Sequence, residues 1–188
     1  FFFKQKTAYE IVDCDWSSDV CSSDLESREA RLREIVAKTG IRIVGPSSLG
    51  IVDMRHKSFL TANAAFDEPD LPVGRIFAAS HSGGMIGTFL SRGKARGIGF
   101  AGLVSVGNEV DLSIGEICAS TLDDPGIDGY LLFLESLRKA HTLRAFAIEA
   151  TKRGKPILAY KLGRSAEDRK STRLNSSHSQ QSRMPSSA

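Results

Sequence analysis

The sequence predicts an α/β fold built on a parallel sheet. Three observations point there: wholly apolar runs of strand length, stretches whose apolar residues recur at helical spacing, and strict rotation of the two from residue 75 to residue 160. A strand buried on both faces reads as a continuous apolar run, and a strand–helix–strand rotation closes by right-handed crossovers that lay helices on both faces. Segments 75–79, 100–106, 130–134 and 156–160 are therefore expected as strands, and 83–95, 114–122 and 138–152 as helices.

Taken in order, ESREARLREIVAKT (26–39) places Leu32, Ile35, Val36 and Thr39 on one helical face, and Gly40 follows as a helix C-terminal glycine. IRIVG (41–45) reads as a short β-branched strand, GPSSLG as a turn and LGIVD (49–53) as a second strand. DEPDLPVG (67–74) has the proline, glycine and acidic residues of a linker. Beyond it, LLFL and ILAY are the continuous apolar runs, and Leu143, Phe146, Ala147 and Ala150 recur at helical spacing.

Bulk composition excludes several classes. A chain of 188 residues is one domain of ordinary size, or one domain with part of another. Its net charge of +3 is small and its basic residues form no stripe, so no nucleic-acid partner is expected. No apolar run approaches the roughly 20 residues that a membrane crossing needs, and the opening Phe-Phe-Phe is followed by polar residues unlike a signal peptide. Cys14, Cys21 and Cys118 form an odd, sparse set, which fits a reducing cytoplasm better than a disulfide framework.

Both ends break with the middle. DRKSTRLNSSH (168–178) reads codon for codon as the translation of a common short-read sequencing adapter, and SRMPSSA (182–188) as its continuation. KQKTAYEI (4–11) and DWSSDVCSSDL (15–25) read as the reverse complement. Residues 1–25 and 168–188 are therefore expected to be adapter-derived, the latter disordered, which removes Cys14, Trp16, Cys21 and His178 from functional argument.

In a parallel sheet, ligands bind where strand ends meet helix starts. ASHSGGM joins a strand to a helix through two glycines, so the amides of Gly83, Gly84 and Met85 can approach an anion, with the hydroxyls of Ser80 and Ser82 as further donors. A tight turn with glycines kept for packing explains the same residues. A third reading makes Ser82 a nucleophile, because SHSGG departs from G-x-S-x-G only at Ser80; Asp128 and His141 would complete the set. SVGNEVD adds a second small-residue turn at Gly107 and Asn108. Glu135 ends a buried strand, placed either to orient an imidazole or to cap the next helix. Glu109, Asp111 and Glu116 read as solvated or capping residues, His81 as a loop side chain, His56 as lacking a partner and Cys118 as a small buried hydrophobe. No histidine has metal-ligand spacing, so no metal is expected.

Together, IRIVGPSSLGIVD, GRIFAASHSGGMIGTF, FAGLVSVGNEVDLSIGE, DGYLLFLES and GKPILAYKLGRS resemble the NDP-forming acyl-CoA synthetases, relatives of the succinyl-CoA synthetase α subunit, over 41–165. The resemblance implies a flavodoxin-like domain at 75–167, preceded by the C-terminal remnant of a Rossmann-type CoA-binding domain at 26–66. It further implies interconversion of acyl-CoA, phosphate and ADP with free acid, CoA and ATP, through an acyl phosphate and a phosphohistidine. CoA and ATP or ADP with Mg would be substrates, with no cofactor bound covalently. The other partners would be phosphate, a small carboxylic acid, and an ATP-grasp module or β subunit. Ser80, Ser82, Gly83, Gly84, Gly107 and Asn108 would hold phosphate or phosphohistidine, and Glu135 would be the catalytic carboxylate that pairs with the histidine.

Two departures bear on this. Family members read Gly-Pro-Asn-Cys where Gly45, Pro46, Ser47 and Ser48 stand, which leaves Ser47 and Ser48 as a candidate active-site turn. The family's histidine follows the Gly-Arg-Ser that matches 163–165, and here that position falls in adapter-like text, so His178 is read as coincidental. The expectation is an enzyme fragment, inactive alone for want of the histidine loop, most of the CoA site and the ATP-grasp module. The alternatives are a non-catalytic phosphate, CoA or subunit-binding module and a serine hydrolase.

Overall fold

A computed structural model describes residues 18–162, with side chains from residue 26 onward. The segments read as adapter-derived, together with His178, lie outside the described residues, except that the backbone of 18–25 is helical. The elements are α1 (Ser18–Thr39), β1 (Gly50–Asp53), β2 (Ser58–Thr61), a 3₁₀ turn (Ala64–Phe66), β3 (Val73–Ser80), α2 (Gly83–Lys94), β4 (Phe100–Ser105), α3 (Ile114–Ser120), β5 (Gly129–Leu134), α4 (Ala140–Lys152) and β6 (Ile157–Lys161).

The strands form one six-stranded sheet in the order β2-β1-β4-β3-β5-β6. Strands β4, β3, β5 and β6 are parallel, as their apolar runs predict. β1 and β2 depart from the all-parallel expectation: β1 runs antiparallel to both β2 and β4. Their connection, residues 54–57, is too short for a crossover, so the pair can only be a hairpin. Strands from both sides of the 67–74 segment thus share one sheet.

IRIVG is not a strand. Its backbone bonds instead to the loop after β4: Leu112 N donates to Ile43 O, Val110 N to Gly45 O, and Ile43 N to the Asp111 carboxylate. β-branched composition predicts a strand here, but the partner of this segment is a loop and no strand edge lies beside it.

Helices cover the faces unequally, and each face has its own core. α3 and α4 pack Ile114, Cys118 and Phe146 against Phe77, Tyr130 and Leu132, with the Phe146 ring edge-on to Tyr130 at 4.8 Å. On the other face α2 lays Ile86 and Leu90 on Ala78, Leu103 and Val52. Burial of a side chain such as Leu90 or Phe146 stabilises the fold by about 1.5–3 kcal/mol. What positions the site is register: Ser80 lies opposite Ser105 of β4 and Phe133 of β5, so these three parallel strands end together. The segments that follow them, 81–84, 106–109 and 135–136, therefore meet at one edge of the sheet.

Candidate anion site

The β3–α2 turn is held from inside. His81 N donates to Phe133 O at 3.1 Å, and the fully buried Ser80 donates its hydroxyl to Ser82 O at 2.7 Å. Ser80 thus braces the turn, and the expectation that its hydroxyl faces an anion is corrected: that donor is already engaged. Ser82 is the N-cap of α2 with an extended backbone, yet its hydroxyl makes no capping bond.

The two glycines differ. A Cβ on Gly83 would lie 2.5 Å from Leu49 Cγ, so this residue is glycine for packing. A Cβ on Gly84 would meet nothing within 4 Å, and Gly84 is exposed. The 12-residue α2 carries no acidic residue in its first turn, so its N-terminal amides and partial positive charge are uncompensated there. Asn63 was not singled out in the sequence: its Nδ2 reaches Gly83 O at 3.3 Å while its Oδ1 accepts from Ala65 N, and no motif marks it.

The β4–α3 turn meets residues 45–48. Gly107 has φ +56, and a Cβ there would sit 1.9 Å from Pro46 O, so only glycine lets the two backbones touch. Its glycine character serves that contact. Asn108 N donates to Pro46 O, and its side-chain Nδ2 donates to Glu29 Oε1 of α1 at 2.9 Å. The Glu29 carboxylate is 9% exposed and also meets Arg33 at 2.9 Å and Arg138 at 3.7 Å. A carboxylate therefore already occupies the donor expected to face phosphate. Ser48 Oγ donates to Ser105 O at 2.5 Å and accepts from Gly50 N, which makes it a strut. Ser47, at φ +61, points outward and makes no side-chain hydrogen bond among the described residues.

Glu135 lies at the carboxyl end of β5, exposed, and its carboxylate has no hydrogen bond or ion pair among the described residues. It does not cap α4, whose N-cap is Lys139. Its amide donates to His81 Nδ1 at 3.1 Å. That acceptor role, read from the hydrogen-bond network, leaves the proton of a neutral ring on Nε2. Nε2 is buried, 3.3 Å from Glu109 Oε2, but its N–H is out of line and makes no hydrogen bond.

Glu109, read as solvated or capping, proves to be the second: it is buried and caps the start of α3. It is 8% exposed at φ +54, and its Oε1 accepts from Ile114 N at 2.7 Å at the start of α3. Burial pushes its carboxyl up, but the His81 ring, the Ile114 amide and the Lys139 charge together hold it below the ordinary range. Glu116 and Ser113 form a capping box, and Asp111 is held low chiefly by Arg42 at 2.9 Å. His56, expected to lack a partner, has Asp53 at 2.8 Å.

The hydrolase geometry fails. Asp128 precedes β5 and pairs with Arg75 near the start of β3, at the sheet edge opposite Ser82, and His141 is exposed on α4. Cys118 is fully buried, which pushes its thiol far up and leaves it unreactive. Among the described residues no cluster of three or more His, Cys, Asp or Glu is placed to hold a metal, and no helix is long and apolar enough to cross a membrane.

Compared with known proteins, residues 73–186 match the family described as succinyl-CoA ligase like flavodoxin domain. An ADP-forming acetate–CoA ligase of Methanocaldococcus jannaschii is 31% identical over 156 residues, covering 83% of this chain and 21% of the relative. The alpha subunit of ADP-forming acetate–CoA ligase I of Pyrococcus furiosus is 31% identical over 137 residues, covering 73% of this chain and 29% of that subunit. Among solved structures, the dinucleotide forming acetyl-coenzyme A synthetase 1 of Ca. Korarchaeum cryptofilum, in complex with phosphate and ADP, superposes with a TM-score of 0.66 at 26% identity, over 81% of this chain and 32% of that one. The chain thus spans between 21% and 32% of the length of these relatives.

Proposed function

Because the chain belongs to the family of succinyl-CoA ligase like flavodoxin domains, we propose that it is the anion-holding part of an NDP-forming acyl-CoA synthetase. In this reading the α2 N-terminus, at Ser82, Gly83 and Gly84, holds phosphate or a phosphorylated histidine, and Glu135 faces the imidazole. The carboxylate fixes the reactive tautomer and stabilises the imidazolium that remains once the phosphoryl group has gone. CoA, ADP or ATP with Mg, and a small carboxylic acid would be substrates of the longer enzyme. Nucleotide binding belongs to the ATP-grasp module or β subunit that the resemblance implies, and a cytoplasmic setting follows from the same reading. The divisions at 26–66, 67–74 and 75–167 remain part of the proposal.

One observation carries it: the open amide end of α2 and the unpaired Glu135 carboxylate lie at one sheet edge, on neighbouring parallel strands. The test is calorimetric titration of the chain with inorganic phosphate. Saturable, weak binding is expected, and Glu135→Gln should tighten it by about two- to fivefold, because a like charge is removed beside the anion. Absence of saturable binding overturns the reading. Binding of CoA without phosphate would instead favour a CoA-holding module.

A further inference from the structure

We propose that His81 is a positioning residue of this anion site and ties its geometry to pH. The inference rests on the anion reading above. Two loops and a strand end converge on the ring. It follows Ser80 in the turn that opens into α2; Nδ1 takes the Glu135 amide at 3.1 Å; Nε2 faces the Glu109 carboxylate at 3.3 Å, and Glu109 in turn takes the Ile114 amide at 2.7 Å. The side chains of His81 and Glu109 are each 5% exposed. The ring is therefore the link through which the turn at Gly83–Gly84, the end of β5 and the start of α3 keep their relative places.

Only one protonation state fits. Nδ1 must be an acceptor to hold Glu135, which requires a neutral ring with its proton on Nε2. A second proton would fall on Nδ1, facing the Glu135 N–H as donor to donor, while the imidazolium gains attraction to Glu109. Acid thus exchanges the Glu135 clamp for a His81–Glu109 ion pair. The charged groups packed around the ring are Glu109 from the β4–α3 loop, Lys139 before α4 and Glu135 at the end of β5, and Lys139 is shared with Glu116 at 3.4 Å. Apart from Ser136, the remaining walls of the small cavity at this point are apolar, among them Ile114, Leu134 and Leu143. Solvent therefore screens the exchange little.

The experiment uses the full chain, with sulfate as probe because its charge stays constant over the interval in which histidine titrates. Along a pH series, NMR should show the Glu135 amide and the His81 ring moving together, and sulfate affinity by calorimetry should be about three- to tenfold lower once the ring carries its second proton, the worth of one hydrogen bond. In His81→Asn, whose Oδ1 can take the Glu135 amide but does not titrate, both pH responses should vanish and affinity at the alkaline end of the series should be restored relative to His81→Phe. A Glu135 amide that does not follow the ring overturns the inference. So does sulfate affinity that stays level across the range while amide and ring titrate together. Coupled titration with no sulfate binding at any pH overturns the anion reading instead and leaves the clamp standing.

Discussion

Gly84→Ala separates fold from function. The added Cβ meets nothing within 4 Å, and the residue lies in the first turn of α2 on an exposed surface. Replacing a helical glycine by alanine at an unstrained, unobstructed position should therefore stabilise the chain by about 0.5–1 kcal/mol. For a chain of this size that raises the melting temperature by roughly 1–4 °C. If Gly84 is glycine so that an anion can approach its amide, the same methyl group should weaken phosphate binding. Losing one hydrogen bond to a charged group costs about 1.5–3 kcal/mol, which is about ten- to a hundredfold in Kd. Thermal melts and phosphate calorimetry on the same preparation read the two effects, with opposite signs expected. Gly83→Ala cannot serve as the probe, because its Cβ would lie 2.5 Å from Leu49 and disturb packing first. A Gly84→Ala protein that melts higher and binds phosphate as before would refute the amide cradle.

Glu29→Ala should raise sulfate affinity by about three- to tenfold, since it frees the Asn108 amide and leaves Arg138 uncompensated; an unchanged affinity would separate Asn108 from the anion site. Asp124 is held from 3.8 down to about 2, first by its hydrogen bonds to Arg55, at 2.8 and 2.5 Å. Its folded value is depressed, so the stability it contributes is complete above the unfolded value and lost as pH falls from about 4 to about 2. Urea midpoints across that window should slope less steeply in Asp124→Asn than in the native chain, where Glu109 and Asp111 also contribute, and equal slopes would deny the pair a stabilising role.

What was legible in the sequence followed from local periodicity, and what was not depended on partners far away in the chain. LLFL and ILAY revealed buried parallel strands because burial on both faces leaves no polar position to confuse the pattern. SFLT, which became β2, was missed because three of its four residues are exposed and leave no alternation to read. IRIVG reads as a strand from composition, but its partner is the loop at 110–112. Ser80 and Ser82 flank His81 in one turn, yet the Ser80 hydroxyl turns inward to Ser82 O. Nothing local distinguishes the two. Glu109 reads as either solvated or capping because carboxylates are seldom buried unless paired, and its companion His81 comes from a different loop.

Charge compensation sets one of the carboxylates at this edge apart from the others. Glu29 is answered by Asn108, Arg33 and Arg138, and Glu109 by His81 and the Ile114 amide. Glu135 alone stands exposed with no partner among the described residues. A bare carboxylate beside a helix N-terminus is a poor arrangement for holding free phosphate, because it repels the ligand that the amides attract. It suits a ligand whose phosphoryl oxygens face the amides while its imidazole faces the carboxylate, since the ring gains positive charge as the phosphoryl group leaves. The cost to free phosphate and the benefit to a phosphorylated imidazole arise from the same charge. Neutralising Glu135 should therefore strengthen the first interaction and weaken the second, a reversal that a merely structural carboxylate would not produce.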